Sequence, residues 1–140
     1  MRSVIILLMV FIGVGCVTTK KGNRQHYTLN GTWIPTMQEI GGAALPGTML
    51  EKELLVISDS NYTFSAESID RGSLRYTRKK MDIYGKVGIN AGRHIPAVYK
   101  LEQDKLTICY DLSGKGYPTA FETKGKPAQF LSVFKRAGGK

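Results

Sequence analysis

Short runs in which apolar and polar residues alternate with a period of two, each bounded by turn-forming residues, constrain this chain more than any other feature. A strand sends successive side chains to opposite faces, so this period implies strands with one buried face. The run Leu54 to Ile57 stops at Ser58 to Asn61, after which Tyr62, Phe64 and Ala66 alternate with Thr63 and Ser65; that is a hairpin pattern. Leu74, Tyr76 and Arg78 alternate with Arg75 and Thr77, and Met81 and Ile83 follow Lys79 and Lys80 before the turn-prone Gly85. Val98 to Leu101 meets the polar stretch Glu102 to Lys105, and then Leu106, Ile108 and Tyr110 alternate with Thr107, Cys109 and Asp111. With Thr32 to Ile40 at one end and Phe130 to Phe134 at the other, the count reaches about eight strands. The 16 glycines and 5 prolines fall largely between these runs and punctuate them.

Beyond Cys16, no window of eleven or more residues holds an apolar i, i+3, i+4, i+7 pattern free of Gly and Pro. The expected class is therefore all-β. Closely spaced strands joined by short turns suit a single up-and-down antiparallel β-barrel of about eight strands, which removes exposed edges by closing on itself. A barrel of that size is either filled by its own side chains or holds one small ligand, and alternation leaves both open.

The N-terminus carries a different signal. Arg2, the apolar run Val4 to Val14 and the small Gly15 read as an export signal peptide. The apolar stretch is shorter than the roughly 20 residues a spanning helix needs. Cys16, placed directly after Gly13, Val14 and Gly15, makes the segment similar to the processing box of bacterial lipoproteins, whose cysteine receives diacylglycerol before cleavage. The organisation expected is a signal peptide at 1–15, a lipidated Cys16 and polar tether at 16–28, one barrel domain at 29–136 and a glycine-rich tail at 137–140. This points to an exported, membrane-anchored cell-envelope protein, at the outer membrane where the cell has one because Val17 is not acidic. A soluble periplasmic or secreted form is the alternative.

Composition excludes several chemistries. Two cysteines, one of them in the processing signal, rule out a disulfide framework and a Cys-rich zinc site, and leave Cys109 as a small apolar strand residue. Lys and Arg number 20 against 11 Asp and Glu, a surplus that favours anionic surfaces. Nucleic acid is not the expected partner, since no recognition-helix or aromatic RNA-binding signature is present. Of the two histidines, His26 lies in the tether and His94 stands beside Arg93 in an expected loop, which supports neither a triad nor a metal site. Glu51, Glu53, Asp59, Asp70 and Asp111 read as strand-end acids, and Gly85 to Gly92 reads as a flexible connection. No catalytic residue, metal or cofactor is expected.

The segment Leu29 to Trp33, with Gly31 two residues before the indole, is similar to the opening of lipocalin-like domains, and Val133 to Arg136 resembles their closing strand with its terminal arginine. Together with Tyr99 to Leu101, Asp104 to Tyr110 and Tyr117 to Phe121, these pieces resemble an uncharacterised lipocalin-like family best populated in planctomycete bacteria. The resemblance runs from Leu29 to Arg136 and implies a barrel; the family brings no established activity with it. Independently, first and last strands are neighbours in a closed barrel, so the Arg136 guanidinium can lie over the Trp33 indole, a contact worth about 0.5–2 kcal/mol. Trp33 and Arg136 are therefore expected to close the barrel, and the resemblance adds Gly31 to them. Tyr62, Phe64, Tyr99, Leu101, Leu106, Ile108 and Tyr110 are the expected inward face, either plain core or the wall of an aromatic cavity for a small apolar or amphipathic ligand. The alternative is a filled barrel binding an envelope polymer or exported protein through a basic loop surface of Arg75, Arg78, Lys79, Lys80 and Arg93.

Overall fold

The structure, a computed structural model, describes residues 27–138. The signal segment, Cys16 and His26 lie outside the described residues, as does the very end of the tail. Among the described residues the elements run β1 (Gly31–Ile40), β2 (Ala43–Ala44), a one-turn α1 (Gly47–Leu50), β3 (Leu54–Ser58), β4 (Asn61–Ser65), β5 (Ile69–Tyr76), β6 (Lys80–Val87), β7 (His94–Glu102), β8 (Lys105–Asp111) and β9 (Gln129–Arg136). Each long strand pairs antiparallel with its sequence neighbour, and β9 returns to pair with β1 from Trp33↔Arg136 to Ile40↔Phe130. Eight strands thus form a closed up-and-down barrel, with β2 a two-residue appendage on β1. Closure satisfies the backbone groups that an open sheet would leave along its edges.

One rim carries the β3–β4, β5–β6 and β7–β8 turns together with both chain ends of the barrel. The other carries α1, the β4–β5 turn, the β6–β7 loop and the long β8–β9 connection. The core lies inside, where Trp33, Leu55, Ile57, Leu74, Met81, Ile95, Ala97, Leu106, Ile108 and Phe134 are buried.

Two irregularities break the period of two. In β1 the register against β9 shifts between Pro35 and Met37, so the buried positions change from Trp33 and Pro35 to Gln38. Between β5 and β6, Gly72 faces Gly85 but Arg71 faces Val87, which leaves Lys86 as the extra residue and turns Val87 to the outer face. Gly72 has a second role: a methyl group there would lie 2.0 Å from the Tyr84 carbonyl oxygen and 2.7 Å from the Tyr62 ring, so only glycine allows this approach.

The β8–β9 connection, residues 112–128, lies against the outside of the barrel as a strap. The Tyr117 hydroxyl donates to both Asp82 carboxylate oxygens at 2.8 and 2.9 Å, with the Lys80 ammonium 4.6 Å from the Tyr117 ring. Further along, Lys100 sits over the Phe121 ring, and the Thr123 hydroxyl bonds Glu39 while accepting from the Gly42 amide. The outward residues Thr107, Cys109 and Leu131 are consequently buried.

Three expectations change. His94 is the first residue of β7, held on the outer face by a 2.7 Å contact to Asp82 and stacked on Tyr84, because the β6–β7 loop is shorter than the glycines suggest. Gly85 to Gly92 is not a free connection: Gly85 to Val87 are strand, and the rest is tied down by Asn90, whose amide and side chain both donate to Asp70. The helix α1 escapes periodicity because a single turn, with only Leu50 buried, has no repeat to show.

Candidate functional site

The interior divides into a plugged end and a hollow end. At the plugged end Trp33 is fully buried, its indole N–H donating to the Leu29 carbonyl at 2.9 Å, and the Arg136 guanidinium lies 4.2 Å from the ring centroid. Arg136 also donates to the Asn30 and Thr28 carbonyls at 2.7 and 2.8 Å, and its Nε meets Asp104 at 3.2 Å. One side chain thereby ties the segment before β1 to the last strand. Gly31 makes room for it: a methyl group at Gly31 would lie 2.6 Å from the guanidinium, and its φ of +138° disfavours any side chain.

The hollow end is a cavity of about 360 Å³, within the range of small-molecule sites. Leu55, Ile57, Phe64, Leu74, Ile83 and Ile95 supply much of its apolar wall. It reaches the rim beside Asn90 and Arg93, and Arg93 is exposed there. Of the seven expected inward residues, Tyr62, Phe64, Ile108 and Tyr110 line this cavity. Tyr99, Leu101 and Leu106 do not. They face inward but belong to the plugged end, where Leu106 is fully buried and the Tyr99 hydroxyl donates to the Thr77 carbonyl beside the β5–β6 turn. Their alternation is right; only position along the barrel separates plug from cavity.

Polar groups are concentrated on two sides of the cavity. On one, Asp70 is 7 % exposed and accepts from the Tyr62 hydroxyl at 3.3 Å, the Asn90 side chain at 2.7 Å and the Asn90 amide at 3.3 Å. Arg93 continues the chain by donating to the Asn90 side-chain oxygen at 2.9 Å and the Leu112 carbonyl at 2.6 Å. On the other, Gln38 and Ser132 are cross-strand partners on β1 and β9, both buried. Gln38 donates to Glu53 at 2.6 Å, and burial raises the Glu53 pKa, partly offset by that bond. The Ser132 hydroxyl is buried with no protein partner. Such an orphan costs about 1–3 kcal/mol of desolvation.

Burial pushes the Tyr62 hydroxyl well above the ordinary phenol range, and the neighbouring Asp70 charge and hydrogen bond push the same way. Burial, with Tyr62 close by, does the same to Tyr110. Both hydroxyls are therefore neutral hydrogen-bonding groups at physiological pH. Cys109 is also pushed up by burial, under the strap and outside the cavity.

Sequence reading missed Asp70, Asn90, Gln38 and Ser132. Asp70 carried a usable signal, since Asp70, Gly72 and Leu74 share one parity on β5 and all are buried. The basic residues separate: Arg75, Arg78, Lys79 and Lys80 are exposed at or near the β5–β6 turn of the plugged end, whereas Arg93 stands at the opposite rim. They do not form one surface. Compared with protein-family models, with curated proteins and with solved structures, the chain matches none.

Proposed function

We propose that this chain is a bacterial cell-envelope lipoprotein whose lipocalin-like barrel binds one small, mostly apolar ligand bearing a polar group. The observation that carries the reading is the cavity itself: about 360 Å³ of space lined by aliphatic and aromatic side chains, with polar groups confined to its two sides. A barrel serving only as a scaffold gains stability by filling such space, because each missing contact costs packing energy. The neutral Tyr110 phenol, on the cavity wall, supplies a hydrogen-bonding group to orient a ligand. A plug at one end and an exposed Arg93 at the other give the cavity a single direction of entry.

The anchoring half of the reading rests on Cys16 and the segment before it.

Native mass spectrometry of the protein purified without detergent, compared with its denatured mass, tests ligand binding. A reproducible extra mass lost on denaturation is the expected result, and bare protein in repeated preparations overturns it. Mass spectrometry of the membrane-extracted protein tests the anchor: a chain starting at Cys16 and carrying a diacylglyceryl group is the expected result, and a Cys16 that is unmodified or absent from the membrane-bound form removes lipidation from the reading.

A further inference from the structure

The rim around the cavity mouth carries apolar residues that the fold does not use. Ile69, Val87 and Ile89 are 48 %, 54 % and 81 % exposed. They come from adjoining elements: Ile69 opens β5, Val87 closes β6 opposite Arg71, and Ile89 lies in the loop that follows. Simple alternation along β6 would have sent Val87 inward with Met81, Ile83 and Gly85. The extra residue Lys86 reverses it, so the fold departs from its own period to place an aliphatic side chain outside.

This patch sits beside the cavity. Asp70 and Asn90, on the same strand and loop as Ile69 and Ile89, line its wall. Exposed Arg71 stands opposite Val87 and exposed Lys86 directly precedes it, while Glu67 lies in the turn before Ile69. Aliphatic side chains beside the cations Arg71 and Lys86 match the chemistry of an anionic bilayer surface, with apolar groups entering the acyl boundary and cations resting among headgroups.

We propose that Ile69, Val87 and Ile89 dock the cavity mouth on a bilayer containing anionic phospholipid, so that the ligand passes between membrane and barrel without crossing water. This goes beyond ligand retention, because it states where the cavity is loaded. Its test needs no ligand, so its failure and that of the ligand-binding reading are distinguishable.

The experiment uses the mature chain from residue 16 to residue 140, made without the signal segment and carrying Cys16→Ser and Ile89→Cys, labelled with an environment-sensitive fluorophore; Cys109 is fully buried and stays unlabelled in the folded protein. A companion chain carries the label at Lys79→Cys, at the plugged end. Emission is recorded with vesicles of phosphatidylcholine alone and of phosphatidylcholine with phosphatidylglycerol. The expected result is a blue shift and several-fold brightening at position 89 only with the anionic vesicles, reduced by salt, with position 79 silent. In the chain without the label, Ile89→Asp should weaken vesicle binding about tenfold or more, the equivalent of losing one buried aliphatic side chain. A label at 89 that remains in water on bound vesicles overturns the proposal, as does a shift at 79 alone. A shift at 89 that follows protein concentration without vesicles shows a second copy covering the rim, and also overturns it.

Discussion

Arg136→Ala removes the side chain that ties the segment before β1 to the last strand, and its cost can be worked from the contacts. The cation–π contact at 4.2 Å is worth about 1 kcal/mol at a partly buried site. Each hydrogen bond to the Thr28 and Asn30 carbonyls contributes about 1 kcal/mol, below the usual range for charged donors because the guanidinium edge stays solvated. Asp104 is 58 % exposed, so its ion pair is screened to no more than about 0.5 kcal/mol. The expected loss is about 3 kcal/mol, or a fall in melting temperature of about 10 °C for a domain of this size. Arg136→Lys keeps the charge but lacks the planar fork that reaches two carbonyls while covering a ring, so it should lose about half as much. Urea unfolding followed by circular dichroism gives the free energies. Emission from Trp33, the one tryptophan in the chain and fully buried, reports the plugged end separately. A loss below about 0.5 kcal/mol for Arg136→Ala, or a lysine variant as stable as the parent, would refute the closure argument.

Gly72→Ala should cost about 3 kcal/mol in urea unfolding, at the upper end for overpacking because the new methyl meets the Tyr84 backbone and not a side-chain tip. Ser132→Ala removes a buried hydroxyl that has no protein partner, so urea unfolding should show stability level or raised by up to about 1 kcal/mol. Tyr62 and Tyr110 should make the protein sensitive to alkali. In the unfolded chain a phenol ionises near pH 10, whereas the folded barrel holds these protons to higher pH. Their contribution is therefore fully present below about pH 10 and lost as pH climbs through the raised folded values, and urea midpoints from pH 8 upward should fall less steeply in Tyr110→Phe.

Strand hairpins and the all-β class were readable because a strand's side chains alternate faces wherever pairing is regular. Leu106, Ile108 and Tyr110 face inward as their parity indicates, with Thr107 and Cys109 outside. The pairing of Trp33 with Arg136 was also legible, since closing an eight-stranded barrel makes neighbours of its first and last strands.

What alternation could not carry was anything dependent on an extra residue or on height along the barrel axis. The bulge near Thr36 moves Gln38 to the inner face, and Lys86 turns Val87 to the outer one, because one unpaired residue inverts every side chain beyond it. Tyr99 and Tyr110 look equivalent as inward tyrosines. Strand direction alone sends one to the plug and the other to the cavity. The strap was equally invisible as a cover: residues 112–128 have no period, and the contacts that hold Tyr117 to Asp82 and Thr123 to Glu39 join positions far apart in the chain. Local physics of the chain, the two-residue period and its turns, thus determined a closed barrel. Tertiary structure decided that one half is solid and the other hollow, because that depends on which side chains meet across the barrel.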